Sequence, residues 1–310
     1  MTLRRTIIFN SHARSAKAEA LKNELVRVTN GCDLRSTTGL GGGVQHANQA
    51  VRDGYGVIIA AGGDGTIHEV VSGTVGTNMI LGIIPIGTIN VVARELGIPL
   101  NMAGAWKVIE EGHVREVDLV RVEYRGREEP EVRHFVQMAG VGLDAQIVKQ
   151  VTWEQKKRWG ALSYVIELCK VIHAKLPRVT VCMDDSPACE GAFALIGNGS
   201  MYGGPVRVFN RASMSDGLMD VCISQSGGYM DLLVYVQAVL RGRQDVTRGM
   251  IYRQCRTVEF TSSAETPIEL DGEYVGCLPA RMTVVPRALK ILAPRGAQTN
   301  SSSGMGGTNP

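Results

Sequence analysis

Between residues 5 and about 112, short apolar runs alternate with stretches whose apolar residues recur at helical spacing. TIIFN (6–10) predicts a strand, Ala18, Leu21, Leu25 and Val28 mark one face of a helix over 15–28, and CDLRST (32–37) predicts a second strand. A further helical stretch starts at 44–51. GVIIAA (56–61) and ILGIIP (80–85) are apolar throughout, as strands buried on both faces must be. Helices are predicted at 67–75, 90–96 and 102–111. Strand and helix alternating through short connections predict a parallel sheet covered on both faces.

After Val114 the pattern changes. REVDLVRVEYRG, VRHFVQMAG, RVTVCMDD, CEGAFALIGNG, LMDVCIS, RTVEFTSS, TPIELDGEYV and ARMTVVP alternate apolar with polar residues, punctuated by Gly, Asp and Pro. They predict a β-rich, mostly antiparallel unit, interrupted by helices at 162–174 and 230–240. The expected organisation is an α/β domain over 1–115 and a β-sandwich domain over 116–294, its last strand free to return to the first domain. The tail 295–310, rich in Ser, Gly and Asn, cannot form a core and is expected to be disordered.

A chain of 310 residues accommodates two such domains without a disulfide or metal staple. Its 44% hydrophobic and 20% charged residues exclude a disordered or collagen-like polymer. A net charge of +3 is too small for a general nucleic-acid binder, so no nucleic-acid partner is expected. The seven cysteines form no CxxC pair, which speaks against a zinc ribbon or a secreted disulfide framework. Ile7-Ile8-Phe9 is too short for a signal-peptide core, and the uncharged stretch 70–93 is cut by Gly73, Gly76, Gly82, Pro85 and Gly87. The expected location is the cytoplasm. The six histidines show no metal-ligand spacing and read as structural or surface residues.

Candidate chemistry concentrates in VIIAAGGDGTIHE (57–69), where a buried strand passes through Gly62, Gly63 and Gly65 into a helix. Such a turn brings backbone amides and the positive end of a helix against an anion. It reads equally as a tight turn with Asp64 or Thr66 capping the helix. A second glycine turn, Pro85-Ile-Gly-Thr-Ile-Asn90, follows the next buried strand. In a parallel sheet both turns emerge at the same carboxyl edge, where ligands bind. Neither matches GxxxxGK[ST] or GxGxxG. Asp271-Gly272 suits a two-residue hairpin, and Asp216-Gly217 a turn before a strand.

With MAGVGLDAQIV (138–148), GNGSMYGG (197–204), SDGLMDV (215–221) and LDGEYV (270–275), these motifs follow an ordered set. The set resembles the catalytic domain of diacylglycerol kinases and their bacterial lipid-kinase relatives over about residues 5–294. The resemblance implies ATP in the cleft between the domains and γ-phosphoryl transfer to a hydroxyl of a membrane lipid, with Mg²⁺. It implies phosphate contacts from Gly62, Gly63, Asp64, Gly65 and Thr66, continuing through Ile67, His68 and Glu69 to Thr88. Thr37 and Asn10 would line the same pocket, and Asn90 would orient the loop or the substrate. Glu273 would accept the hydroxyl proton, supported by Asp271. Asp216, with carbonyls of Ser213 and Leu218, would hold a structural Mg²⁺. A homodimer peripheral to the membrane is expected on the same ground.

NAD kinases share GGDGT and offer a rival reading with a soluble dinucleotide acceptor, against which the SDG and DGE motifs argue. A non-catalytic binding module is the other alternative. The family's first strand usually ends in Asn-Pro followed by Gly; here it ends in Asn10-Ser11-His12-Ala13-Arg14, and Arg14 offers a charge for phosphate. His68 stands where Asn is common and is tolerable if it faces outward from its helix. Between Lys149 and Arg178, seven basic residues face Glu154 and Glu167, with Trp153 and Trp159 flanking Lys156-Lys157-Arg158. This stretch reads as a solvated face or as a contact with anionic lipid, each base contributing about 1 kcal/mol near such a surface. If it is the contact, anionic vesicles will sediment more protein than neutral ones, and equal sedimentation removes that reading.

Overall fold

The computed structural model describes residues 3–295 except 11–15, 38, 40, 127, 151–176 and, within 229–246, all but Val234, Gln237, Ala238, Arg241 and Arg243. Arg14, most of the basic stretch, the helix predicted at 162–174, most of that at 230–240 and the tail from Gly296 lie outside the described residues.

The α/β half runs β1 (Arg5–Asn10), α1 (Ala16–Val28), β2 (Asp33–Thr37), α2 (Gly42–Arg52), β3 (Val57–Gly62), α3 (Asp64–Ser72), β4 (Ile80–Pro85), α4 (Val91–Glu95) and α5 (Met102–Glu111). The strands lie parallel in the order β2-β1-β3-β4, so all four end at one edge. Ile7, Ile8, Ile58, Ile59, Ile83 and Ile84 form the sheet's buried centre. Their β-branched chains fit a pleated surface packed on both sides. One boundary and its cap differ from the sequence reading. Helix α3 starts at Asp64, and its N-cap is Gly63, with no side-chain cap from Asp64 or Thr66.

The β-rich half begins with β5 (His113–Arg125), β6 (Pro130–Phe135), β7 (Met138–Val141), α6 (Leu143–Gln150), β8 (Val179–Met183), β9 (Cys189–Gly191) and β10 (Phe193–Gly197). It continues through β11 (Met201–Tyr202), β12 (Val206–Arg207), β13 (Met219–Ser224), β14 (Met250–Cys255), β15 (Thr257–Ser262), β16 (Pro267–Leu270) and β17 (Glu273–Ala293). Its pairings among themselves are antiparallel, which completes the predicted fold class. VRHFVQMAG, read as one strand, is broken between β6 and β7. The amides of Val136 and Gln137 leave the ladder there and donate to the Asp271 carboxylate. Helix α6 was not foreseen, because LDAQIV registered only as a motif. Leu143 and Ile147, one turn apart, bury together beside Phe193 and Phe209.

One ribbon joins the halves. β5 and β17 pair antiparallel from His113↔Ala293 to Arg125↔Cys277, and Lys290 and Ile291 of β17 also lie parallel to β4. Val117 and Leu119 of β5 belong to the α/β core, whereas Val120 and Val122 belong to the other core. Between them the register slips, with Val285 opposite Leu119 and Leu289 opposite Val117. Asp118 fills that bulge. Its buried carboxylate accepts from Arg287 N (2.8 Å) and Gly217 N (2.8 Å).

A second buried carboxylate ties α4 to the β-rich half. Glu95 accepts from Ser200 N (2.9 Å), Ser200 Oγ (2.9 Å), Met201 N (2.9 Å) and Gln137 Nε2 (3.1 Å). Removing the acceptor strands buried amides that water cannot reach. Glu95→Ala should therefore cost about 3 kcal/mol or more, read as a lower urea midpoint with unchanged slope. Wild-type stability in that variant would show that water replaces the carboxylate.

Candidate functional site

The two glycine turns touch. Gly62 at the end of β3 pairs with Pro85 at the end of β4, and Gly62 O accepts from Ile86 N (2.9 Å) and Gly87 N (3.3 Å). A methyl on Gly87 would stand 2.5 Å from Gly63 Cα, and one on Gly62 would stand 2.2 Å from Thr66 Oγ1. Only bare backbone fits there, and bare backbone is what lets amides approach a phosphate. Asn90 pins the second turn by donating from Nδ2 to Gly87 O (2.7 Å). Its Oδ1 is buried without a partner, while Thr88 is exposed at the apex of the turn.

Asp64 bridges the two turns. Its Oδ1 accepts from Val92 N at 3.1 Å, so it caps α4 rather than its own helix. Burial pushes this carboxyl up from its ordinary pKa, against the pull of the Val91 and Val92 amides. Glu69 acts as a strut, accepting from Gly41 N (2.9 Å) and Gly43 N (2.7 Å). It holds the glycine run at the start of α2, where Gly42 lies against the buried Thr37 at the end of β2. Asn10 ends β1 in register with Thr37. The run Gly41-Gly42-Gly43 therefore joins the site, although it was not singled out in the sequence. Its signal was three glycines between a strand and a helix, the same grammar as the GGDGT turn.

Facing α3 is the acid turn. Asp271 (φ 49°) and Gly272 (φ 83°) link β16 to β17, both in the left-handed region that a type I′ hairpin requires. The buried Asp271 carboxylate accepts from Val136 N (2.8 Å), Gln137 N (2.9 Å) and Met138 N (3.1 Å). His68 Nδ1 lies 3.2 Å from Asp271 Oδ2. His68 thus faces inward, not outward, because α3 lays this turn of helix against the acid turn. Burial favours the neutral ring, but the Asp271 bond, Asp271's charge and Glu273 together raise its pKa above the ordinary value. Glu273 is exposed, with Oε1 reaching within 3.9 Å of where a side chain on Gly65 would begin.

Between α3, the second glycine turn and the β-rich half lies a cleft of about 400 Å³. Its wall is mainly apolar, including Ile67, Ile89, Val92, Val136, Met138 and Val206, and is interrupted by Asp64, His68 and Asp271. Ser213, Asp216 and Leu218 do not line it. They lie on the turn before β13, where Asp216 Oδ1 accepts from Leu218 N (3.0 Å) and Gly217 takes φ 76°. Burial pushes the Asp216 carboxyl up, with Asp118 adding to the rise. The donors are all oxygen, the chemistry Mg²⁺ accepts. Among the described residues no three His, Cys, Asp or Glu side chains converge on a metal position. The site thus offers one carboxylate among neutral oxygens.

Comparison with known proteins bears on this arrangement. Residues 4–122 match the family described as the diacylglycerol kinase catalytic domain. Residues 137–293 match the YegS C-terminal NAD kinase beta sandwich-like domain. A diacylglycerol kinase of Staphylococcus aureus is 28% identical over 264 residues, covering 84% of this chain and 81% of that protein. A crystal structure of a diacylglycerol kinase from Bacillus anthracis superposes with a TM-score of 0.75 at 20% identity, covering 95% of this chain and 98% of that one. Yeast NADH kinase complexed with NADH shares the fold more distantly, with a TM-score of 0.55 at 10% identity over 94% of this chain and 83% of its own.

The contact between the turns generates a direct test. If the turns cradle ATP, Gly87→Ala should weaken its binding at least about tenfold in calorimetry while circular dichroism stays native, since its methyl must push Gly63 aside. Undiminished affinity would mean that the turns do not form the phosphate cradle.

Proposed function

This chain belongs to the family of the diacylglycerol kinase catalytic domain, and on that premise we propose that it transfers the γ-phosphoryl group of ATP to a hydroxyl of a membrane lipid such as diacylglycerol. The observation that carries this reading is the contact of the two bare-backbone turns at Gly63 and Gly87, with Glu273 reaching over Gly65 beside an apolar cleft. The turns suit a triphosphate. Gly62, Gly63, Gly65, Thr66 and Thr88 would surround the phosphates, with Asn10 and Thr37 toward the rest of the nucleotide. Asp64, Glu69 and Asn90 would keep the cradle in shape, because each already holds backbone of a neighbouring turn or helix.

In the reaction the acceptor oxygen bonds to the γ-phosphorus, the bond to the β-γ bridging oxygen breaks, and ADP leaves with the electron pair. Glu273 takes the hydroxyl proton, and Asp271 keeps the acid turn in register. Bound with ATP, Mg²⁺ neutralises charge on the transferring group. A further Mg²⁺ would be held by Asp216 with the carbonyls of Ser213 and Leu218, outside the lining of the cleft and for structure. Because the acceptor resides in a bilayer, peripheral membrane contact is part of this reading, as is a homodimer. Among the described residues no helix is long and apolar enough to cross a membrane.

Protein incubated with Mg²⁺, labelled ATP and a panel of diacylglycerol, sphingoid base, polyprenol and NAD should yield a phospholipid. Glu273→Ala should lower kcat by about 10²-fold or more without loss of fold. Asp64→Ala should lower turnover as well, through a disordered second turn. A phosphorylated dinucleotide with no lipid product would favour the NAD kinase reading instead. ATP binding with no product from any acceptor would favour a binding module.

A further inference from the structure

Among the described residues His68 is the one histidine seated in the cleft wall, with only 9% of its side chain exposed. What fixes the ring lies behind it. Asp271 accepts three backbone N–H groups, so its carboxylate acts purely as an acceptor. Nδ1 of His68 must therefore donate to it. The two nitrogens of an imidazole point to different sides of the ring, so locking Nδ1 on Asp271 also fixes the direction of Nε2. Among the described residues Nε2 has no hydrogen-bond partner, and it is not among the fully buried orphan atoms.

Most other polar side-chain atoms of the wall are spent or sealed, Tyr202 OH among them by donating to Asp144. Asp64 is engaged by the amides that open α4. Gln137 Nε2 is held by Glu95 and by Met201 O. Glu269 Oε2 accepts from Gly272 N, and the remaining oxygens of Gln137 and Glu269 are fully buried. An apolar cleft with a few oriented polar atoms is the usual design for fixing the direction of an apolar ligand with a polar end.

We propose that His68 positions the acceptor lipid: its Nε2–H, aimed by the Nδ1–Asp271 bond, donates to the oxygen of the hydroxyl that is phosphorylated. This rests on the lipid-kinase reading above and assigns the chain's own contact to its acceptor. An alcohol oxygen has one proton and two lone pairs. With the proton turned to Glu273 and one lone pair held by Nε2–H, the second lone pair is left for phosphorus. The donor requires the imidazolium form. Facing the ring, Asp271 and Glu273 from the acid turn favour that form, while Arg133 and His134 from β6 oppose it. The carboxylates prevail, so the ring's pKa stands above its ordinary value. The donor is accordingly present below the raised pKa and is lost as pH rises through it.

The test uses the full chain, dioctanoylglycerol in detergent micelles as acceptor, and pH 6 to 9. For wild type, the acceptor KM should rise about tenfold across that range, the loss expected for one charge-assisted bond. His68→Gln, a neutral donor, should give a flat profile. His68→Ala should raise the acceptor KM about tenfold at low pH and leave the ATP KM within about twofold. An unchanged acceptor KM, or a rise confined to the ATP KM, overturns the assignment and returns His68 to the nucleotide side. If wild type phosphorylates no lipid, the kinase reading fails on its own. Calorimetric binding of dioctanoylglycerol to wild type and His68→Ala then still decides the role of His68, equal affinities or no binding refuting it.

Discussion

A carboxylate taken out of water must find donors, and the arrangement of this molecule follows from where three of them find theirs. Asp271 gathers the three consecutive amides of Val136, Gln137 and Met138 where one strand gives way to the next, together with a histidine of a neighbouring helix. Glu95 gathers the backbone at Ser200 and Met201 onto α4. Asp118 closes the bulge where β5 and β17 pass from one core to the other. Each acceptor is satisfied by groups distant in sequence, so each fixes the α/β half against the β-rich half, or one element of the cleft against another. Hydrophobic packing forms the two cores, but it is indifferent to small slips between them. Directed bonds to buried charge are not, because an unmet donor or acceptor costs about 1–3 kcal/mol.

This division of labour explains what could be read from the chain beforehand. Apolar periodicity reports local burial, and it located β3, β4, α5 and the change to antiparallel strands at β5. The glycine turns were legible because bare backbone leaves a compositional mark. The partners of buried carboxylates leave none. Nothing in the letters around Asp118, one acid inside VDLV, says that it will meet Arg287 and Gly217. The facing of His68 stayed open because a histidine amid GTIHEV is neutral evidence about it; its direction is set by Asp271, 203 positions away. The hairpin reading and the functional reading of Asp271-Gly272-Glu273 prove to be compatible. The positive φ angles that make a tight turn are what present Asp271 inward and Glu273 outward.

The site is also economical in the way it uses backbone. Amides at Gly41 and Gly43 go to Glu69, and Val92's amide goes to Asp64, so side chains of one turn organise the main chain of the next. Disturbing one acid would therefore be felt at a turn it does not belong to. The apolar cleft differs: its shape depends on volume, and neighbouring aliphatic residues can exchange bulk without losing the scaffold.

The β5–β17 ribbon carries a mechanical implication. Because two long strands are shared by both cores, the halves are not beads on a string, and widening of the groove must be taken up as flexure of the ribbon. The regular ladder lapses where Pro286, Arg287 and Ala288 stand opposite Asp118. This lapse in the shared ladder is closed by the Asp118 carboxylate, which holds the Arg287 and Gly217 amides, so the strands pass from one core to the other without an open break.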